Sequence, residues 1–178
     1  MHAAQPMTSE LTFRSMREQD LELVRIWLGL PHVARWYLAG STVERELGEL
    51  RQCIAHEQPT HALMALERGQ PIGWCQWYVC ADYPDHAAGV GAEPGDIGLD
   101  YAIGDPARVG KGVGTSLVAA LVAYVSERHP GAGFVADPEA TNRASRRVLE
   151  KIGFELVREG SIASEPTAAT MAIYRLRP

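Results

Sequence analysis

The sequence predicts an α/β (α+β) domain in which a mixed central sheet of about seven strands is flanked by about four helices. Three observations carry this. Runs with a period of 2 and runs with a period of 3.6 follow one another in the order β-α-α-β-β-β-α-β-α-β-β. Strands and helices alternate only in the second half, which places the parallel pairing there. The chain has 178 residues, 46% hydrophobic and 22% charged, the size and balance of one ordinary globular domain.

Residues 1–10 read as a flexible tail ahead of a single domain over 11–178. Leu11-Thr12-Phe13-Arg14 alternates apolar and polar, as a half-buried strand does. Asp20 then stands as an acidic N-cap before the crowded apolar stripe of Leu21, Leu23, Val24, Ile26, Trp27, Leu28 and Leu30, and Pro31 marks that helix's end. Ser41-Thr42-Val43-Glu44 reads as a capping box opening a second helix, with Val43, Leu47, Leu50 and Ile54 on one face. Residues 61–66 and 72–80 are strands around the turn Arg68-Gly69-Gln70-Pro71.

Residues 82–95, rich in Gly, Ala, Pro and Asp, read as a long loop of the kind that often carries function. Residues 97–103 form a central strand, and 104–112 a glycine-bearing turn. An amphipathic helix follows through Val113, Leu117, Ala120, Leu121, Tyr124 and Val125. Residues 133–136 are a short strand, and 141–152 a helix with Ala144, Val148, Leu149 and Ile152 inward. Gly153 is its left-handed C-cap. Closing strands lie near 154–158 and 168–175.

Composition narrows function. Net charge is −5, a poor match to nucleic acid, which demands clustered Lys and Arg, and a better one to a cationic small substrate. No apolar run is long enough to span a membrane, and residues 1–10 lack the basic start and apolar run of a secretory leader, so the cytoplasm is expected. Cys75 and Cys80, five apart, read as small core residues, and with no C-x-x-C or H-E-x-x-H motif no metal is expected.

Val109-Gly110-Lys111-Gly112-Val113-Gly114-Thr115 lies between a strand and a helix. Glycines let backbone approach a ligand closely, and N–H groups at a helix start face an anion, so the turn reads as a pyrophosphate cradle. It is not a P-loop, because Lys111 is followed by Gly112 rather than Ser or Thr. Nor does it match the dinucleotide fingerprint, since it reads G-x-G-x-G and comes late in the chain.

This segment resembles the acyl-coenzyme A turn of the GNAT superfamily of N-acetyltransferases, Gln/Arg-x-x-Gly-x-Gly/Ala. Gly112 and Gly114 match, Val109 takes the first place, and Arg108 stands one residue early. Residues 142–154, from Asn142 through Lys151-Ile152-Gly153-Phe154, resemble the superfamily's second signature. A wider match, through Trp27-Leu28, His32-Val33-Ala34-Arg35-Trp36, Pro71-Ile72-Gly73, Gly98-Leu99-Asp100 and Asp137-Pro138, is similar to aminoglycoside 6′-N-acetyltransferases.

The resemblance implies the GNAT fold, acetyl-CoA as cosubstrate, and acetyl transfer to the 6′-amine of an aminoglycoside by a monomer or weak homodimer. It assigns Asp100, expected at the end of its strand, as the amine-binding group and base. Asp137 faces the cationic sugar, with Trp36, Tyr37 and Glu93 also on the substrate side. Tyr101, Ile103, Val109, Gly110, Lys111, Gly112, Val113, Gly114, Thr115 and Asn142 fall to the cofactor. Arg143, Arg146 and Arg147 form a basic run, read as a solvated face with an Arg146–Glu150 pair or as a contact to the 3′-phosphate of coenzyme A. Leu149 stands where many superfamily members have a Tyr that protonates the departing thiolate.

Residues 82–96 depart most from those relatives, with acid supplied only by Asp82, Asp85, Glu93 and Asp96. Two other functions fit parts of the pattern. Lysine N-acyltransferases of siderophore synthesis resemble the His-x-x-x-Trp region but tend to carry His at the place of Asp100. A non-catalytic acyl-CoA sensor would not need Asp100 beside an intact glycine turn.

Overall fold

The computed structural model describes residues 11–164 and 168–178; the expected tail, 1–10, lies outside them. The strands are β1 (Leu11–Ser15), β2 (His61–Glu67), β3 (Gln70–Val79), β4 (Ile97–Ile103), β5 (Phe134–Ala136), β6 (Glu155–Gly160) and β7 (Met171–Leu176). They form one seven-stranded sheet in the order β1-β2-β3-β4-β5-β7-β6. All neighbours are antiparallel except β4 and β5. The mixed sheet is as the sequence predicts, with its parallel pair in the second half.

Six α-helices, not about four, lie among the described residues: α1 (Leu21–Leu28), α2 (Pro31–Tyr37), α3 (Val43–Ile54), α4 (Pro84–Val90), α5 (Val113–Ser126) and α6 (Arg143–Ile152). The two extra ones share a cause. Pro31 and Pro84 each occupy the first helical turn. There a missing N–H is harmless and a fixed φ helps. Pro31 thus opens α2 rather than merely ending α1, and the expected loop at 82–95 contains α4.

Two capping expectations change. Thr42, not Ser41, caps α3, its hydroxyl accepting from the Arg45 N–H at 3.2 Å. Asp20 makes no side-chain cap to α1. Its carboxylate instead receives both terminal nitrogens of Arg14 at 2.7 Å and the Arg17 N–H at 2.8 Å. The Arg14 hydrogen bonds hold the Asp20 carboxyl below the usual range. A bidentate charged partner outcompetes a single backbone donor.

Helices cover both faces of the sheet. On one, α5 and α6 bury Leu117, Val118, Leu121, Val125 and Leu149 against Cys75, Trp77, Ile97 and Leu99. On the other, α1, α2 and α3 bury Val24, Trp27, Leu28, Val33, Leu47 and Leu50 against Met64, Trp74 and Ala102. Trp74 and Trp77 are both core residues, on opposite faces as their spacing requires. Cys75 and Cys80 are buried too. Gly153 ends α6 at φ 103°, the expected left-handed C-cap.

The β4–β5 ladder is short. It consists of Ile97 opposite Phe134 and Gly98 opposite Val135. Beyond Gly98, β4 continues beside β3 to Ile103 while β5 ends at Ala136 and the chain stays with β7, where the Ala172 N–H donates to the Pro138 carbonyl at 2.8 Å. The sheet therefore splits, and one edge of β4 from Leu99 to Ile103 faces a slot rather than a strand.

Candidate active site

One end of the slot is the glycine turn. After β4 a 3-10 turn (Pro106–Arg108) leads to Gly110 and Gly112, at φ 75° and 78°. A non-glycine residue is strained in this left-handed region. A Cβ placed on either glycine would meet no protein atom within 4 Å, so this backbone lies bare at the surface. Gly112 is the N-cap of α5 and offers no side chain to it, and the Ser116 N–H returns to the Gly112 carbonyl at 3.3 Å. The N–H groups of Val113, Gly114 and Thr115 thus open a 14-residue helix with no side-chain cap, a positive, donor-rich end suited to an anion. Gly114 lies against α6, where an added Cβ would come 3.2 Å from Val148.

Arg108 does not replace the missing signature residue. Its guanidinium pairs with the buried carboxylate of Glu67 at the end of β2 and lies 3.9 Å from Asp105, so it is committed to the turn's own support. Val109 is exposed.

Across the slot, the Tyr101 hydroxyl meets the Ser145 hydroxyl of α6 at 2.7 Å. Burial pushes the Tyr101 hydroxyl pKa up to about 12, so it stays protonated at neutral pH. Asn142 is the N-cap of α6, its side-chain oxygen accepting from the Ser145 N–H at 3.1 Å. Leu149 is fully buried in the core, as expected of a residue with no polar duty.

The other end is a cleft of about 670 Å³. Asp100 lines it from the middle of β4, not from the strand's end, because β4 runs three residues further. Its side chain is exposed there. Asp137, just past β5, lines it too, with a side chain 11% exposed. Glu46 and Glu49 come from α3, Asp82 and Asp85 from the start of the α4 segment, and Glu139 from the approach to α6. Seven carboxylates thus share one cleft with a single arginine, Arg45, which pairs with Glu49 at 3.1 Å. Burial pushes the Glu46 carboxyl up.

Trp36 and Tyr37 both line this cleft. The Arg35 guanidinium lies 4.6 Å over the Trp36 ring, and Tyr37 packs on Trp74 at 5.0 Å. His32 is a tether: its Nε2 is 3.0 Å from the Ile103 carbonyl, which can only accept, so this nitrogen carries the hydrogen. Tyr78 lies over Gly98, where a Cβ would come within 2.2 Å of its ring; this close approach explains the glycine two residues before Asp100.

The structure thus brings together Asp100, Asp137, Trp36, Tyr37, Tyr101 and Asn142, with Ile103 and residues 109–115 at the far end of the slot. Glu93 is not among the cleft residues. It pairs with Arg175, which also binds Asp96 at 2.6 Å, so Glu93 and Asp96 brace β7 instead. Nor does Arg146 pair with Glu150. Both bond the Tyr174 hydroxyl, at 2.9 and 2.6 Å, and Arg146 also pairs with Glu159 at 2.8 Å. Sequence reasoning missed Glu46 and Glu49. The signal was the spacing of Glu46, Glu49 and Cys53, one helical face beside the apolar one, but only packing shows what that face meets.

Among the described residues no group of three or more His, Cys, Asp or Glu is arranged to hold a metal ion, and no helix is long and apolar enough to cross a membrane.

The acetyltransferase (GNAT) domain family matches residues 16–162. The chain belongs to the GNAT acetyltransferase family. It is therefore an acetyl-CoA-dependent N-acetyltransferase, and its split seven-stranded sheet is the GNAT fold. This GNAT acetyltransferase is 31% identical over 159 residues to an aminoglycoside N(6′)-acetyltransferase type 1 of Klebsiella pneumoniae, covering 86% of this chain and 77% of that one. It is 30% identical over 162 residues to the lysine N-acyltransferase MbtK of Mycobacterium tuberculosis, covering 88% and 72%. The crystal structure of aminoglycoside acetyltransferase AAC(6′)-Ib with coenzyme A superposes with a TM-score of 0.81 at 27% identity, over 94% of this chain and 95% of that one.

Proposed function

We propose that residues 11–178 form one catalytic unit that acetylates the 6′-amine of an aminoglycoside in the cytoplasm, inactivating the antibiotic and conferring resistance. The observation that carries this reading is the cleft in which seven carboxylates face one already paired arginine. A polyamine sugar carries several ammonium groups and no anion, and such a cleft concentrates it. The Klebsiella relative is named for this reaction, and AAC(6′)-Ib has also been solved with coenzyme A and kanamycin.

Acetyl-CoA, when bound, supplies the thioester. The N–H groups of Val113, Gly114 and Thr115 hold its pyrophosphate, with Gly110 and Gly112 allowing close approach. The slot-facing edge of β4 from Tyr101 to Ile103, where His32 already holds the Ile103 carbonyl, lies along its arm, with Asn142 on the facing helix. Asp100, at the point where the cleft meets the slot, binds the acceptor ammonium and receives its proton, because only the free amine can attack a thioester. Asp137, Trp36 and Tyr37 hold the sugar on the same side. No acid stands at Leu149. A thiol with a pKa near ~8.5 leaves as a fairly stable thiolate, so little is lost.

The deciding measurement is thiol release from acetyl-CoA with kanamycin, tobramycin, gentamicin, lysine and hydroxylysine. Turnover of the aminoglycosides alone is expected. Turnover of lysine or hydroxylysine alone would replace this reading with siderophore acylation. Binding of acetyl-CoA without turnover of any amine would make the protein a sensor.

A further inference from the structure

Helix α4, in the segment the sequence offered as a loop, carries the one histidine among the cleft-lining residues, His86. Its side chain is 14% exposed. Nε2 is 3.1 Å from the Tyr78 hydroxyl and 3.7 Å from Oδ1 of Asp137, and Nδ1 is 3.3 Å from the Ser164 hydroxyl. Three separate elements therefore meet one imidazole: β3 through Tyr78, the chain after β5 through Asp137, and the β6–β7 connection through Ser164. Asp82, Tyr83 and Asp85 flank it on its own segment, and Asp100 stands across the cleft on β4.

Both protonation states find partners in this arrangement. A neutral ring can accept from the Tyr78 hydroxyl at Nε2 while its Nδ1–H donates to Ser164. A charged ring carries hydrogen on both nitrogens, and its Nε2–H then faces the Asp137 carboxylate. Tyr78 in turn lies over Gly98, on the β4 face that also presents Asp100 two residues on.

We propose that His86 is the proton outlet of the acceptor site. The inference rests on amine acetylation in this cleft. In that reaction the substrate ammonium loses two protons as the N–C bond forms and the C–S bond breaks. One ends on the coenzyme A thiol. The other must leave a cleft crowded with carboxylates, and an imidazole is the side chain that takes and releases a proton near neutral pH. Asp100 receives that proton, His86 accepts it by way of the Tyr78 hydroxyl, Asp137 is the counter-ion of the imidazolium, and solvent takes the proton from the ring. His86 acts through Tyr78 and Asp100 and is a positioning and relay residue.

The experiment compares the pH profiles of wild type, His86→Gln and Tyr78→Phe with kanamycin as acceptor, together with an NMR titration of the His86 ring, assigned by its loss in His86→Gln. Wild-type kcat/KM should rise through one inflection between about pH 5 and 8. His86→Gln should lose that inflection and at least about tenfold in kcat at pH 7, with the acetyl-CoA KM unchanged. Tyr78→Phe should lower kcat in the same direction while the ring still titrates. In Asp137→Asn the ring should titrate at lower pH than in wild type. A retained inflection in His86→Gln with kcat within threefold of wild type overturns the relay, as does a ring titration unmoved by Asp137→Asn. If wild type acetylates no amine, the functional reading has failed by itself. The ring titration in Asp137→Asn then decides whether His86 and Asp137 are coupled, and an unmoved titration rejects the assignment.

Discussion

The two ends of the slot offer different kinds of group. At the donor end these are main-chain N–H groups at the start of α5, presented by Gly110 and Gly112 in left-handed conformation. They come from consecutive residues and depend on local geometry. At the acceptor end they are side chains: Glu46 and Glu49 from α3, Asp82 and Asp85 beside α4, Asp100 from β4, and Asp137 and Glu139 after β5. These span residues 46 to 139 and meet through the packing of α3, the α4 segment and the strands β4 and β5 around one cleft. A site made of backbone has to be written as a short motif. A site made of scattered carboxylates can be written anywhere that packing brings to one surface, and it leaves no motif.

That contrast can be broken by substitutions at each end. The largest effect is expected at Asp100, the residue proposed as the base. Asp100→Asn should lower kcat/KM by ~10²–10⁴ while the acetyl-CoA Kd stays near its wild-type value. Activity within threefold of wild type would remove Asp100 from the chemistry. At the donor end, Gly112→Val forces a β-branched residue to φ 78°, a conformation that costs a non-glycine residue about 1–2 kcal/mol. The acetyl-CoA Kd should rise at least about tenfold, with aminoglycoside binding spared. Unaltered acetyl-CoA affinity by calorimetry in the folded variant would show that the cradle is not the binding element.

A smaller effect is expected from charge removal that leaves Asp100 in place. A surface ion pair is worth up to about 1 kcal/mol, and Glu49 is exposed while Glu46 is half-buried. Glu46→Gln with Glu49→Gln should therefore raise the aminoglycoside KM several-fold, flatten its dependence on salt, and leave the acetyl-CoA KM alone. An unchanged salt dependence would mean that α3 plays no part in recognition. The smallest effect is expected at Leu149, whose side chain has no proton to give. Leu149→Tyr should leave kcat within tenfold of wild type, with stability measured separately because the ring may overpack the core. A larger rise would show that thiolate protonation limits the enzyme.

Residues 109–115 and 142–154 identified the family because glycine turns and caps are local. The Gly153 C-cap and the inward Leu149 are where the sequence puts them. Local reasoning failed where two partners competed for one group. Asp20 had a helix N-terminus next to it in sequence, yet Arg14 took it. Glu93 had a place in an acidic segment, yet Arg175 took it. Pro31 read as a helix end, and the segment holding Pro84 as a loop, because a proline says only that a helix does not continue through it, and not that one begins there.

By itself the sequence determined the seven strands and four of the six helices in their order, the alternation that places Trp74 and Trp77 on opposite faces, and the glycine turn, because each depends on the period of a strand or helix or on a residue's own φ. The tertiary structure alone decided that β5 leaves β4 after two pairs, that Glu46 and Glu49 face the same space as Asp137, and that His86 stands between Tyr78 and Asp137. These are distances between residues far apart in the chain, and they are set by how whole elements pack, which no local pattern encodes.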